Sequence, residues 1–299
     1  MSPEATSPLS LGGAWNAGET LGGRLPPLMV EAERVANTVA QGVHGRRRVG
    51  TGDAFWQFRP FQWGDDAAEI DWRQSARSRH LFVREQEWEA AASVWLWCDL
   101  SPSMGFRSAR DGQSKRDRAL LLTFALASLL VRGGERVGLL GMPDRPRSGR
   151  AALVHLARML ERSLKDPAPL VPEGNLPRHA RVVLISDFLQ PMGALEPRLT
   201  RLVGTGARGA VLQVADPAEE LLPYDGRVLF EGMEQEGQQL IGSVETVRQR
   251  YRTRYAAHRA TLAQVCGRQG WRFAAHRTDQ SAEEGLLLAY QMLAPRAAA

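Results

Sequence analysis

Asp99, Ser101 and Ser103 stand at alternate positions directly after an apolar run, SVWLWC, and a second apolar run, RVVLIS, ends in Asp187. One carboxylate and two hydroxyls spaced this way can converge on a hard cation. Oxygen ligands of that kind suit Mg2+ or Mn2+, with waters completing the shell. Asp187 would add a carboxylate from a neighbouring strand. The plain structural alternative is a strand-to-helix turn in which Asp and Ser satisfy their own backbone. A third chemistry open to Asp99 and Asp187 is metal-dependent hydrolysis of a phosphate ester. Acyl transfer is disfavoured, because G-x-S-x-G is absent and neither serine has a histidine base in its sequence context. The six histidines show no H-x-x-x-H spacing and there are only two cysteines, Cys98 and Cys266, so a zinc site is not indicated. No phosphate-binding glycine motif occurs in a strand-to-helix context.

For those four side chains to meet, both apolar runs must be neighbouring strands of one sheet. The spacing predicts strands over 93–100, 136–142, 181–185, 210–215 and 271–275. Helices are predicted over 117–132, 151–163, 195–202, 244–268 and 281–293, with a hairpin from 225–230 and 239–241. Strands alternating with helices argue an α/β fold: a doubly wound, mostly parallel sheet covered on both faces. With 299 residues, 43% of them hydrophobic, there is enough apolar content for a real core and too much for general disorder. The longest nearly apolar run, 119–131, is short of the ~20 residues a membrane span needs and suits a buried helix. The N-terminus has no secretory signature. No membrane span and a cytoplasmic location are therefore expected.

The domain reading is a Gly/Ser/Pro-rich N-terminus over 1–25, a helix (27–41) plus aromatic segment over 26–91, and the α/β domain over 92–299. In the second segment Asp66 and Glu69 are spaced as a capping box, and Asp71, Arg73 and Arg77 can pair with one another or with Arg59. Trp63 and Trp72 are expected to anchor this segment by burial. Arg46, Arg47 and Arg48 are too few to hold a nucleic acid at physiological salt, and a net charge of +5 does not call for one. The arginines of 244–268 read as a solvated face, with Val247, Tyr251, Tyr255 and Leu262 turned inward.

D-x-S-x-S after a buried strand, with a later strand ending in Asp, resembles the metal-ion-dependent adhesion site of von Willebrand factor A domains. The stretch Arg59-Pro60-Phe61, Gly64-Asp65-Asp66, Ile70-Asp71-Trp72 and Ser75-Ala76-Arg77 resembles the signature of the domain-of-unknown-function 58 family (DUF58), as do Ser186-Asp187-Phe188 and residues 216–223. That resemblance implies a von Willebrand A-like, Rossmann-like domain with an additional N-terminal segment packed beside it. It implies a Mg2+ or Mn2+ site at Asp99, Ser101, Ser103 and Asp187, and structural or docking roles for Arg59, Gly64, Asp65, Asp66, Asp71, Trp72 and Arg77. It brings no enzymatic activity. The implied partner is a MoxR-type AAA+ ATPase or its client, held through a partner carboxylate on the metal. One departure stands out: residues 170–176 lack the threonine of full adhesion sites, so Asn175 or Ser148 would have to substitute. The runner-up functions are the phosphohydrolase and a structural protein with a vestigial site.

Overall fold

The structure, a computed structural model, describes residues 48–50, 54–61, 70–78, 80–88, 93–110, 112–167, 170–174, 176–178, 180–234 and 236–293. The expected helix over 27–41, together with Trp63, Gly64, Asp65, Asp66 and Asn175, lies outside them. The chain divides into two compact units at Ala92/Ser93.

In the smaller unit, strands β1 (Arg48–Gly50), β2 (Ala54–Pro60) and β3 (Phe82–Trp88) form an antiparallel sheet in the order β1-β3-β2. The connection from β2 to β3 carries one helical turn, α1 (Trp72–Ser75). Asp71 caps it, accepting from the Gln74 amide at 2.9 Å, while the Ser75 hydroxyl donates to the Asp71 carbonyl and accepts from the Phe82 amide. Aspartate is a strong N-cap because its carboxylate satisfies an amide that has no helical partner. Asp71 therefore closes a turn onto β3. Trp72 does not act as the expected anchor: it starts the helix on the open side and is 66% exposed, while Ile70, Val83 and Ser75 are the buried positions. Arg77 is exposed as well.

The larger unit is a five-stranded sheet of β4 (Ser93–Cys98), β5 (Arg136–Leu139), β6 (Arg181–Ser186), β7 (Arg208–Ala215) and β10 (Arg272–Arg277). Every pairing is parallel, and the order is β10-β7-β6-β4-β5. Counted in chain order within the sheet this is 2-1-3-4-5, a doubly wound arrangement whose switch point lies between β4 and β6. The strands read as apolar on both faces because both are covered. Val94, Leu96, Val183, Ile185 and Leu212 point into one core, with α2 (Lys115–Arg132), α3 (Gly149–Lys165) and α7 (Ala282–Leu293). Trp95, Trp97, Val182, Leu184 and Val211 point into the other, with α4 (Met192–Gly204) and α6 (Val244–Arg268). Helix α2 is buried nearly all round, as its apolar run requires. A short helix, α5 (Pro217–Leu221), and a hairpin, β8 (Val228–Glu231) with β9 (Gln238–Ile241), separate β7 from α6. Among the described residues no helix is long and apolar enough to cross a membrane.

Two positions test this packing. A β-carbon on Gly209 would lie 2.1 Å from the indole of Trp271, whose Nε1 donates to the Ala207 carbonyl. Gly209→Ala is expected to cost about 1–3 kcal/mol through overpacking, read as a lower urea midpoint at unchanged slope. Gly267→Ala meets nothing within 4 Å and should be neutral or stabilising.

A third position, His276, is fully buried at the end of β10. Arg118 Nη1 lies 3.1 Å from its Nε2 and also bonds the Gln280 carbonyl, while Nη2 bonds that of Thr278. A guanidinium only donates, so Nε2 is the acceptor and the ring is neutral. Burial, reinforced by the Arg118 charge, pushes His276 down from 6.5 to about 4. Between those values the unfolded chain binds a proton that the folded one refuses, so stability falls as pH drops through that window, by about 3 kcal/mol at most. Melting temperatures from pH 7 to 4 should show this fall, and His276→Gln should flatten it.

Candidate functional site

Asp99 and Asp187 directly follow β4 and β6, the two strands that flank the switch point, where ligands of open α/β sheets bind. The chain after Asp99 turns through a 3-10 segment, Pro102–Gly105, which brings the Ser101 and Ser103 hydroxyls to 3.2 Å from each other. Asp99 is fully buried. Its Oδ1 accepts from the Ser101 amide at 2.9 Å and its Oδ2 from the Ser186 hydroxyl at 2.6 Å. Burial pushes the Asp99 pKa up, the nearby Asp187 charge adds to this, and the bonds from Ser186 and Ser101 oppose it. The four residues expected to form a site thus do gather at one rim.

A fifth residue stands among them. Lys115 is the first residue of α2, and its side chain is 1% exposed. Its ammonium donates to Asp187 Oδ2 at 2.7 Å and to Glu219 Oε1, and lies 5.9 Å from the centre of the Phe106 ring. Burial works against the charge, but the two carboxylates outweigh it and hold the Lys115 pKa above its usual value. Burial likewise raises the Glu219 pKa, which the lysine opposes.

The anions are held from behind. Glu219 sits in α5, where it and Asp216 form a capping box: Asp216 Oδ1 accepts from the Ala218 amide and Glu219 Oε2 from the Asp216 amide. The other oxygen of Asp216 accepts from the Ser108 amide, tying α5 to the loop before α2. Gln213, on β7, donates to the Asp187 carbonyl and accepts from Arg259 of α6, which also pairs with Glu220. Phe188 has φ +50, a left-handed value uncommon without glycine. Its carbonyl lies 2.7 Å from His258 Nε2. The arginines of α6 meet the expectation of a solvated face only in part: Arg250, Arg254 and Arg268 are exposed, while Arg248, Arg252 and Arg259 are half-buried and bond carbonyls or side chains of their own chain. Val247, Tyr251 and Tyr255 are only half-buried, and Leu262 is buried.

Lys115, Glu219, Ser186, Gln213 and Arg259 were not among the expected site residues. Glu219 had a readable signal in Asp216-Pro217-Ala218-Glu219, a capping box with proline at the first helical position. Lys115 had a weaker one: it follows Ser114, which caps α2, and precedes a helix buried on all sides.

The residues do not fit a divalent ion as they are folded. Asp187 Oδ2 is bound by the ammonium and both oxygens of Asp99 already accept bonds. Among the described residues no three of His, Cys, Asp and Glu are grouped as metal ligands. Ser148, at the N-cap of α3, makes no side-chain capping bond.

Removing one member of a buried ion pair leaves an uncompensated charge. Lys115→Met strands two carboxylates and is expected to cost about 3–5 kcal/mol at neutral pH, measured by denaturant unfolding. Acidification should recover part of the loss, because protonation removes the stranded charge.

Similar proteins extend along most of the chain. An uncharacterised protein of Mycobacterium tuberculosis is 28% identical over 275 residues, covering 87% of this chain and 86% of its own. Among solved structures, an aerotolerance-related membrane protein from Bacteroides fragilis is 16% identical with a TM-score of 0.37, covering 67% of this chain and 98% of that one. The conserved hypothetical protein BatB from Bacteroides thetaiotaomicron is 17% identical with a TM-score of 0.31, covering 67% and 97%. The cytoplasmic placement expected from the sequence is withdrawn, because the lack of a long apolar helix among the described residues is not an address; the Bacteroides fragilis protein is itself described as a membrane protein. The family described as Protein of unknown function DUF58 matches residues 57–261, more than half of the chain, and this protein belongs to that family.

Proposed function

We propose that this protein is a non-enzymatic interaction module of the von Willebrand A type, and that its docking face is the rim at the ends of β4, β6 and β7. The carrying observation is what borders the charged cluster. The β8–β9 hairpin pairs Leu229 directly with Leu240, and both are exposed, at 56% and 51%. Met233, at its turn, is 44% exposed, and a methyl on Gly105 would lie 3.5 Å from its Cε. An apolar strip beside Ser101, Ser103 and the loop that follows them is the composition of a protein contact. The flexible Met233 side chain suits a surface that must adapt.

The polar groups support binding over turnover. The Ser101 and Ser103 hydroxyls bond each other, and Asp99 is engaged by an amide and by Ser186. Neither Ser101 nor Ser103 is thereby paired with a base, which acyl transfer through a serine would need. A partner bringing a carboxylate to this rim would meet the Ser103 hydroxyl, which Ser101 holds in place, with the Lys115 charge sealed out of reach beneath. The family resemblance points to a MoxR-type AAA+ ATPase, or its client, as that partner.

The test is co-purification with the MoxR-type ATPase of the source organism. Capture by the wild type should be lost with Ser103→Asp, which places a like charge where the partner's carboxylate would lie, and weakened by Leu229→Glu. Turnover of a phosphate ester that Asp99→Ala abolishes would sink this reading in favour of a phosphohydrolase.

A further inference from the structure

We propose that the ε-ammonium of Lys115 is the resident cation of this rim, standing in for the metal of an adhesion site, so that Asp187 and Glu219 are held together without a divalent ion. The inference concerns the charge at the centre of the rim and holds whether or not a partner docks there.

The geometry of the ammonium is that of a bound ion. Two of its directions face carboxylates, at 2.7 Å for Asp187 Oδ2 and in direct contact for Glu219 Oε1, and the Phe106 ring lies 5.9 Å away. Asp187 directly follows β6 and Glu219 sits in α5, the helix after the neighbouring strand β7, so the cation bridges segments that the backbone alone leaves separate. An adhesion-site metal would make the same kind of bridge.

The lysine is positioned by its own backbone. Ser114 caps α2 by accepting from the Asp117 amide, and the Lys115 amide donates to the Phe106 carbonyl at 3.1 Å. A cation in the first turn of a helix faces the positive end of the macrodipole and is unfavourable there unless anions surround it. Burying it as well adds a desolvation penalty. A fully buried lysine in that turn therefore depends on Asp187 and Glu219, and they on it.

The oxygens left over do not make a metal shell. Magnesium wants a near-octahedral set of oxygens at about 2.0–2.1 Å. Asp187 Oδ1 accepts from the Leu189 amide at 3.3 Å, and the Asp187 carbonyl accepts from Gln213. Any divalent ion reaching Asp187 would also sit beside a like charge. Deleting the lysine reverses this: Asp187 and Glu219 would face each other unneutralised, with Asp99, Ser101 and Ser103 close by.

The experiment is a Mn2+ titration of the full chain, followed by electron paramagnetic resonance and calorimetry, with melting temperatures in Mg2+ and in EDTA. The wild type should show no saturable Mn2+ site in the millimolar range and no shift with either reagent. Lys115→Ala should gain one Mn2+ site, bound about tenfold or more tightly than anything in the wild type, and its lowered melting temperature should rise with Mg2+. If Lys115→Ala folds only when Mg2+ is added, the proposal is supported in the same way. Where that variant does not fold at all, Lys115→Arg keeps a cation in place and should remain metal-blind like the wild type. A saturable Mn2+ site in the wild type or in Lys115→Arg that Asp187→Asn removes would overturn the proposal, as would a folded Lys115→Ala that binds no metal.

Discussion

A single positive charge buried at the end of a parallel sheet determines how this rim is built. Taking an ammonium out of water costs several kcal/mol, and two carboxylates in direct contact are what make it tolerable. Neither carboxylate is local in sequence to Lys115: Asp187 is 72 residues away and Glu219 is 104. The pair bonds can therefore form only when β6, β7 and the start of α2 are already in register. The charge is cheap only in the native arrangement, which makes it a specificity device as much as a stabilising one.

The rest of the rim reads as support for that arrangement. The first turn of α2 sends Lys115 to Asp187 and Glu219, Arg116 to the Ser101 carbonyl, and Arg118 to His276 and two carbonyls after β10. One helical turn thus clamps the loops after four strands. Each anion-bearing segment also adjoins a non-glycine residue in the left-handed region: Phe188 directly after Asp187, and Leu222 at φ +43 at the end of the helix carrying Glu219. Such conformations persist when surroundings over-determine them. Phe188 is fully buried, 6.4 Å from the Trp97 ring, and its carbonyl is held by His258.

Much of the fold was legible because its signals are local and repeated. SVWLWC, RVVLI and AVLQVA are apolar at all but one position each, a pattern that suits a sheet covered on both faces. The helix over 244–268 has the same bounds in the sequence and in the structure. The convergence of Asp99, Ser101, Ser103 and Asp187 followed from strand ends and spacing. The cation did not, because charge in the sequence carries no direction: KRDR at 115–118 has the composition of a solvated turn, and only the tertiary packing turns Lys115, Arg116 and Arg118 inward. Trp72 failed in the opposite sense. Its size argued for burial, yet α1 directs Ser75 to β3 and leaves the indole outside.

A tethered ammonium and a bound divalent ion are not equivalent occupants. The ammonium carries one charge, donates through at most three N–H bonds and cannot be exchanged or chelated. Between two carboxylates it leaves the cluster with one net negative charge, where a divalent ion would balance both. That residual charge favours added positive charge nearby, and Arg116, bonded to the Ser101 carbonyl at 3.1 Å, lies on the same rim. The consequence for an incoming carboxylate is geometric. It cannot reach the lysine, whose side chain is sealed, without displacing Glu219 and with it the capping box of α5. The accessible polar surface is instead Ser103 and its loop, next to the paired leucines of the hairpin. Recognition on this rim is therefore governed by the hydroxyl pair and the apolar strip, and the buried charge acts by fixing the shape on which they are displayed.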